Sequence, residues 1–184
     1  MTIKNNFDRY LIAMIQEHNS DWVYKNSKNA YALRKTPLLC WDFYLEKFEK
    51  MKTFGVEKTI LNKMSEKMEW AVPKDFISKI PVDTVVVVTN PKLEIVFVTE
   101  NMTGLNGYKP EEVIGKTPKM FQGKDTCLQT SREISESIKA QIPFEKTVLN
   151  YCKDGSIYHC TIQGFPIFDK KGQLTNFIAL EWAA

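Results

Sequence analysis

The sequence predicts an α+β fold: a five-stranded antiparallel sheet with short helices over one face, preceded by an N-terminal α-helical region. Apolar residues recur at helical spacing as far as about Val72, and β-branched runs at strand spacing take over from Val82. The strand-rich part reads as two strands, several short helices and three strands, with hairpin turns at both ends.

In the first region Phe7, Tyr10, Leu11, Met14 and Ile15 share one helical stripe, which predicts a helix near 5–18. Residues 19–35 are rich in Asn, Ser and Lys, with Trp22, Tyr24 and Tyr31 as candidate anchors. Pro37 suits a first helical turn, and Leu38, Trp41, Leu45 and Phe48 continue one stripe, predicting a helix over 37–54 that Gly55 stops. Val56, Ile60, Leu61, Met64 and Met68 form a third stripe over 56–70. These stripes are read as packing faces. Residues 1–72 are expected to form the helical region and 73–184 the sheet domain.

Val85 to Thr89 and Ile95 to Thr99 read as a hairpin around Asn90-Pro91-Lys92. Pro110-Glu-Glu-Val-Ile opens a short helix closed by Gly115, and Ile134 and Ile138 mark a helix over 131–140. Phe144 to Cys152, Ile157 to Phe168 and Leu174 to Trp182 then read as strands joined by Lys153-Asp-Gly-Ser and Asp169-Lys-Lys-Gly turns.

The formal net charge of +3 comes from the first 72 residues, where 12 basic side chains face 9 acidic ones; 13 of each remain in the rest. No basic stripe with interleaved aromatics occurs, which argues against a nucleic-acid partner. The longest aliphatic run, Val85 to Val88, is too short to span a bilayer, so no membrane role and a cytoplasmic location are expected. Cys40, Cys127, Cys152 and Cys160 form no CxxC pair and have only His18 and His159 beside them. No metal site is expected.

Thr103-Gly-Leu-Asn-Gly-Tyr108, Glu111-Glu-Val-Ile-Gly115, Phe121-Gln-Gly-Lys-Asp-Thr126 and Asn150-Tyr-Cys-Lys-Asp-Gly155 together resemble the PAS family, most nearly its light-oxygen-voltage (LOV) branch. That branch holds flavin mononucleotide (FMN) between sheet and helices, and a cysteine attacks it under blue light. The family motif Asn-Cys-Arg-Phe-Leu-Gln falls on Thr117-Pro-Lys-Met-Phe-Gln122. Pro118 therefore occupies the cysteine position, and adduct chemistry is excluded there. The phosphate-pairing arginine falls on Lys119, which lacks a bidentate fork. Gln122 is retained. The two ring-binding asparagines fall on Asn150 and Cys160, and the last-strand glutamine falls on Glu181.

The resemblance implies that Asn150 and Cys160 share the cavity face. A two-residue Asp154-Gly155 turn would put Asn150 with His159 instead, so a three-residue loop, Lys153 to Gly155 with Gly155 left-handed, is expected. Thr117, Lys119, Gln122, Asn150, Cys160, Ile162 and Glu181 are then the candidate ligand site. Glu181 is expected to be buried, with its carboxyl raised by desolvation unless Lys119 or Asn150 satisfies it. The opposite face collects Leu149, Tyr151, Phe165, Ile178, Leu180 and Trp182, an apolar candidate interface that must be covered by the Val56–Met68 stripe or by a second chain. PAS relatives commonly dimerise through this surface, and a homodimer is one expected partner.

The function expected is a cytoplasmic signalling sensor or interaction module with no catalytic residue. With the sequence ending after the last strand, its output would pass through the N-terminal helices, a dimer interface or a separate signalling protein. A small-molecule ligand is a further expected partner. No cofactor is the first expectation, and a non-covalent flavin sensor is the alternative. A small enzyme using Glu181 is the second alternative, which lacks a second carboxylate, histidine or nucleophile beside it.

Overall fold

The computed structural model describes residues 41–184, so the helix expected near 5–18 and the segment 19–35 lie outside the described residues. The first element, α1 (Trp41–Lys67), is a single helix of 27 residues. The break expected at Gly55 does not occur. An interior glycine costs only about 1 kcal/mol relative to alanine, and the Thr59 hydroxyl donates to the Gly55 carbonyl at 3.0 Å. The helix ends where Glu69 turns left-handed and the Trp70 N–H reaches back to the Ser65 carbonyl at 2.9 Å. The expected stripes are only partly packing faces: Leu61 is buried, as is Phe54 outside the stripes, whereas Leu45, Phe48, Val56 and Ile60 are exposed.

The chain divides into two compact units. One runs to Lys63 and includes Pro73–Val82; the other is Met64–Val72 with Asp83–Ala184. Residues 64–72 therefore belong with the sheet and 73–82 with the helical unit, where a single boundary at 72/73 was expected. Within the first unit lies α2 (Phe76–Lys79), with Phe76 and Ile77 buried, and the Lys58 ammonium donates to the Ser78 carbonyl at 2.8 Å.

The second unit is built on β1 (Val85–Thr89), β2 (Ile95–Val98), β3 (Phe144–Tyr151), β4 (Ile157–Phe168) and β5 (Leu174–Ala183), in the antiparallel order β2-β1-β5-β4-β3. Between β2 and β3 come α3 (Met102–Asn106), α4 (Pro110–Val113), a 3₁₀ turn (Pro118–Phe121) and α5 (Leu128–Ala140). The β1–β2 turn is held by Asn90, whose side-chain oxygen accepts from the N–H groups of Lys92 and Glu94. The β3–β4 connection is the expected three-residue loop. The Cys152 N–H donates to the Ser156 carbonyl, the Gly155 N–H donates to the Cys152 carbonyl, and Gly155 sits at φ 85°.

That turn sets the register Val148↔Cys160 and Asn150↔Tyr158, so Asn150 and Cys160 share a face while His159 points the other way and is exposed. Ile162↔Glu181 and Val85↔Glu181 carry the same face across β5 to β1. Val85, Val87, Ile95, Val98, Met102, Val113 and Phe121 pack into the core at the β1–β2 end of this face. On the opposite face Val86, Phe165, Ile178 and Leu180 are buried, and Leu149, Tyr151 and Trp182 are half-buried. Tyr151 is drawn round the sheet edge, where its hydroxyl donates to the Asp125 carboxylate at 2.7 Å.

Candidate functional site

A cavity of about 590 Å³ opens between the β5–β4–β3 side of the inner face, the 3₁₀ turn and α5. That volume suits a small-molecule ligand, for which cavities of roughly 300–1,000 Å³ are usual. Buried Phe121 anchors the turn in the core. Thr117, Pro118 and Lys119 thereby reach the cavity wall. The next segment is tied to β3: the Gly123 N–H donates to the Thr126 hydroxyl at 3.0 Å, which donates to the Leu149 carbonyl at 2.8 Å. The opposite wall is α5, whose Ile134 and Ile138 line the cavity although no residue of the helix is fully buried. The Lys146–Glu133 ion pair at 2.6 Å fastens α5 to β3.

Gly164 lies on the cavity floor, and the Phe144 ring crosses it so closely that a Cβ there would come within 2.3 Å of that ring. Gly164→Ala is therefore expected to push Phe144 aside and lower stability by about 1–3 kcal/mol. Urea denaturation checks this: an unchanged midpoint contradicts the close packing.

Of the seven residues expected at the site, Thr117, Lys119, Gln122, Asn150, Ile162 and Glu181 line the cavity. Cys160 does not. It lies on the same face but is wholly buried, with its thiol 3.8 Å from the Glu181 carboxylate. Alternation along a strand fixes the side on which a residue points, not its distance from a cavity wall.

Asn150 is 3% exposed, and its Oδ1 has no hydrogen-bond partner among the described residues. Thr89, also on the wall, has a buried hydroxyl in the same condition. Glu181 is 4% exposed. Burial pushes its carboxyl up to about 7, opposed in part by hydrogen bonding from Cys160. The partner of Glu181 is thus Cys160; neither Lys119 nor Asn150 bonds to it, and the rise expected of an acid left unsatisfied by them is present. Burial foremost, then the Glu181 charge, raises the Cys160 thiol well above its ordinary range. Burial likewise raises Tyr158, whose hydroxyl accepts from the Asn106 amide at 3.3 Å.

Among the described residues three cationic side chains line the cavity: Lys92, Lys119 and Arg132, all on exposed residues. Only Lys119 was expected. Thr89, Lys92 and Arg132 were missed because they converge from β1, the hairpin turn and α5, and no sequence spacing joins them. Arg132, one position from the cavity-lining Ser131 on a helix with apolar Ile134 and Ile138, carried the one usable signal. Among the described residues no cluster of His, Cys, Asp and Glu could hold a metal ion, and no helix is long and apolar enough to cross a membrane.

A family model described as a PAS domain matches residues 82–181. Protein TWIN LOV 1 of Arabidopsis thaliana is 38% identical over 88 residues, 47% of this chain and 22% of that protein. Blue-light-activated histidine kinase 1 of Erythrobacter litoralis is 32% identical over 92 residues, 50% of this chain and 26% of that protein. The chain thus spans about a quarter of the length of either relative. Among solved structures, the light state of the blue-light photoreceptor Aureochrome1 LOV superposes with a TM-score of 0.53 at 22% identity, covering 54% of this chain and 80% of that one. The LOV domain of an Erythrobacter litoralis blue-light activated histidine kinase gives 0.52 at 17% identity, covering 54% and 94%. At these identities the superpositions speak to the fold alone.

Proposed function

The chain belongs to the PAS domain family, and from that premise we propose that it is a signalling sensor which takes a small molecule into the cavity between sheet and helices. The observation that carries this reading is the pair of buried, unpartnered atoms on the cavity wall, Asn150 Oδ1 and Thr89 Oγ1. A buried polar atom left without a partner costs about 1–3 kcal/mol. A ligand offering hydrogen bonds there would remove that cost. Support also comes from α5, whose isoleucines face open space and not a packed core. Output would pass from the outer face, where Leu180 is already buried within the chain, through half-buried Leu149 and Trp182 to a second copy or a separate signalling protein in the cytoplasm.

Native mass spectrometry of freshly purified protein tests the reading. A bound non-protein mass that is lost in Asn150→Leu supports it. A bare chain whose melting responds neither to cell-extract metabolites nor to FMN overturns it.

A second reading makes that ligand a flavin mononucleotide, and the polar groups present fit one. An unpartnered amide oxygen suits a ring N–H, and Lys92, Lys119 and Arg132 suit a phosphate. When bound, the flavin would supply blue-light absorption and one-electron redox chemistry. This chain's own residues would hold and orient it without bonding to it covalently, since Pro118 stands where the resemblance places the reactive cysteine and no cysteine is among the residues lining the cavity. A yellow protein that, without added reductant, keeps its blue absorption under illumination is the expected result. Reversible bleaching of the kind a thiol adduct gives would contradict it.

A further inference from the structure

We propose that Glu181 determines the specificity of this cavity, acting as a neutral hydrogen-bond donor that admits a ligand presenting an acceptor and disfavours it once ionised. The inference rests on the flavin reading above, of which it names the selecting residue.

The sheet register holds Glu181 between Val85 of β1 and Ile162 of β4. Along its own strand the same face continues through Ala179 and Phe177. An apolar floor thus surrounds a carboxyl that reaches the cavity wall. Among the described residues that carboxyl accepts a single, weak hydrogen bond, from the Cys160 thiol to Oε2. That leaves the other oxygen available to a ligand.

Among the described residues no facing group supplies a compensating charge. From β4 come Cys160 and Tyr158, both kept neutral by burial. Val85 is the partner from β1. Lys92 of the hairpin turn, Lys119 of the 3₁₀ turn and Arg132 of α5 line the cavity on exposed residues, and none bonds to Glu181. An ionised Glu181 would therefore stand uncompensated against an apolar floor, while the cations elsewhere on the cavity wall favour a ligand with an anionic tail. Such a ligand and a carboxylate are poor neighbours. The protonated carboxyl avoids the conflict and adds an O–H donor, which a heterocycle carrying carbonyl or imine acceptors can use. Burial places the proton within reach of physiological pH, near 7.

Binding should then take up a proton above that pH. Riboflavin 5′-phosphate titrated into the full chain, followed by flavin fluorescence, should lose affinity by about tenfold for each pH unit above about pH 7.5. Glu181→Gln keeps a neutral N–H donor at every pH, so its affinity should stay level from about pH 7 to about pH 9. Binding that is pH-independent in the parent chain, or falls equally in both proteins, overturns the inference and leaves the flavin reading standing. Failure of both proteins to bind at any pH overturns the two together.

Discussion

Trp70→Ala is expected to lower the stability of the protein by about 3–5 kcal/mol, the usual cost of emptying a buried aromatic site. Trp70 is 5% exposed and follows directly on the left-handed residue that ends α1. Its indole N–H donates to Asn176 Oδ1 at 2.9 Å, and the Asn176 amide donates in turn to the Thr89 carbonyl at 3.0 Å. Asn176 is itself 1% exposed. Truncation thus leaves both a hole and a buried acceptor without a donor. Main-chain bonds from Ala71 to Phe168 and from Lys170 to Glu69 hold the same junction, so the neighbouring backbone cannot readily collapse into the space. Trp70→Phe separates the two effects: most packing stays and the single bond goes, for a loss of about 1–2 kcal/mol. Denaturation midpoints measure both. A loss under about 1 kcal/mol for the alanine variant would show that the indole is not structural.

The second large effect is a gain. Burial raises the Glu181 carboxyl from 4.5 to about 7, so between these values the folded chain holds a proton that the unfolded chain has released. Stability therefore falls as pH rises from about 4.5 to about 7, and stays at its lower level above that. The shift corresponds to about 3 kcal/mol at pH 8 in the ligand-free protein. Glu181→Gln should recover about that much at pH 8 and almost nothing near pH 4, as read from urea midpoints at the two pH values. Equal effects at both would place the carboxyl in water.

The strand half of this molecule was legible because each signal was local. Ile157 and Phe168 bound β4 as expected, since turn composition flanks a β-branched run on both sides. The parity argument at Lys153–Gly155 placed Asn150 correctly because a one-residue change in loop length would have inverted the face. Glu181 was legible as an interior acid for the same reason. Helical features were less so. Gly55 looked like a stop, yet neighbouring helix formers outweigh one glycine. Periodicity showed apolar stripes on α1, but it cannot choose which of two stripes is covered. The cavity wall escaped for a different reason: Thr89, Lys92 and Arg132 meet only after the chain has folded. The depth of Cys160 behind Glu181 was equally hidden.

The chain passes between its two units after Lys63, after Val72 and after Val82. Such interlacing limits how this PAS unit could be exchanged between proteins. Recombination at Asp83 would carry the whole sheet but abandon the indole that Asn176 accepts from. A protease nicking any one of the three passages would leave the halves still joined by the remaining two. The transferable cassette therefore starts no later than Met64.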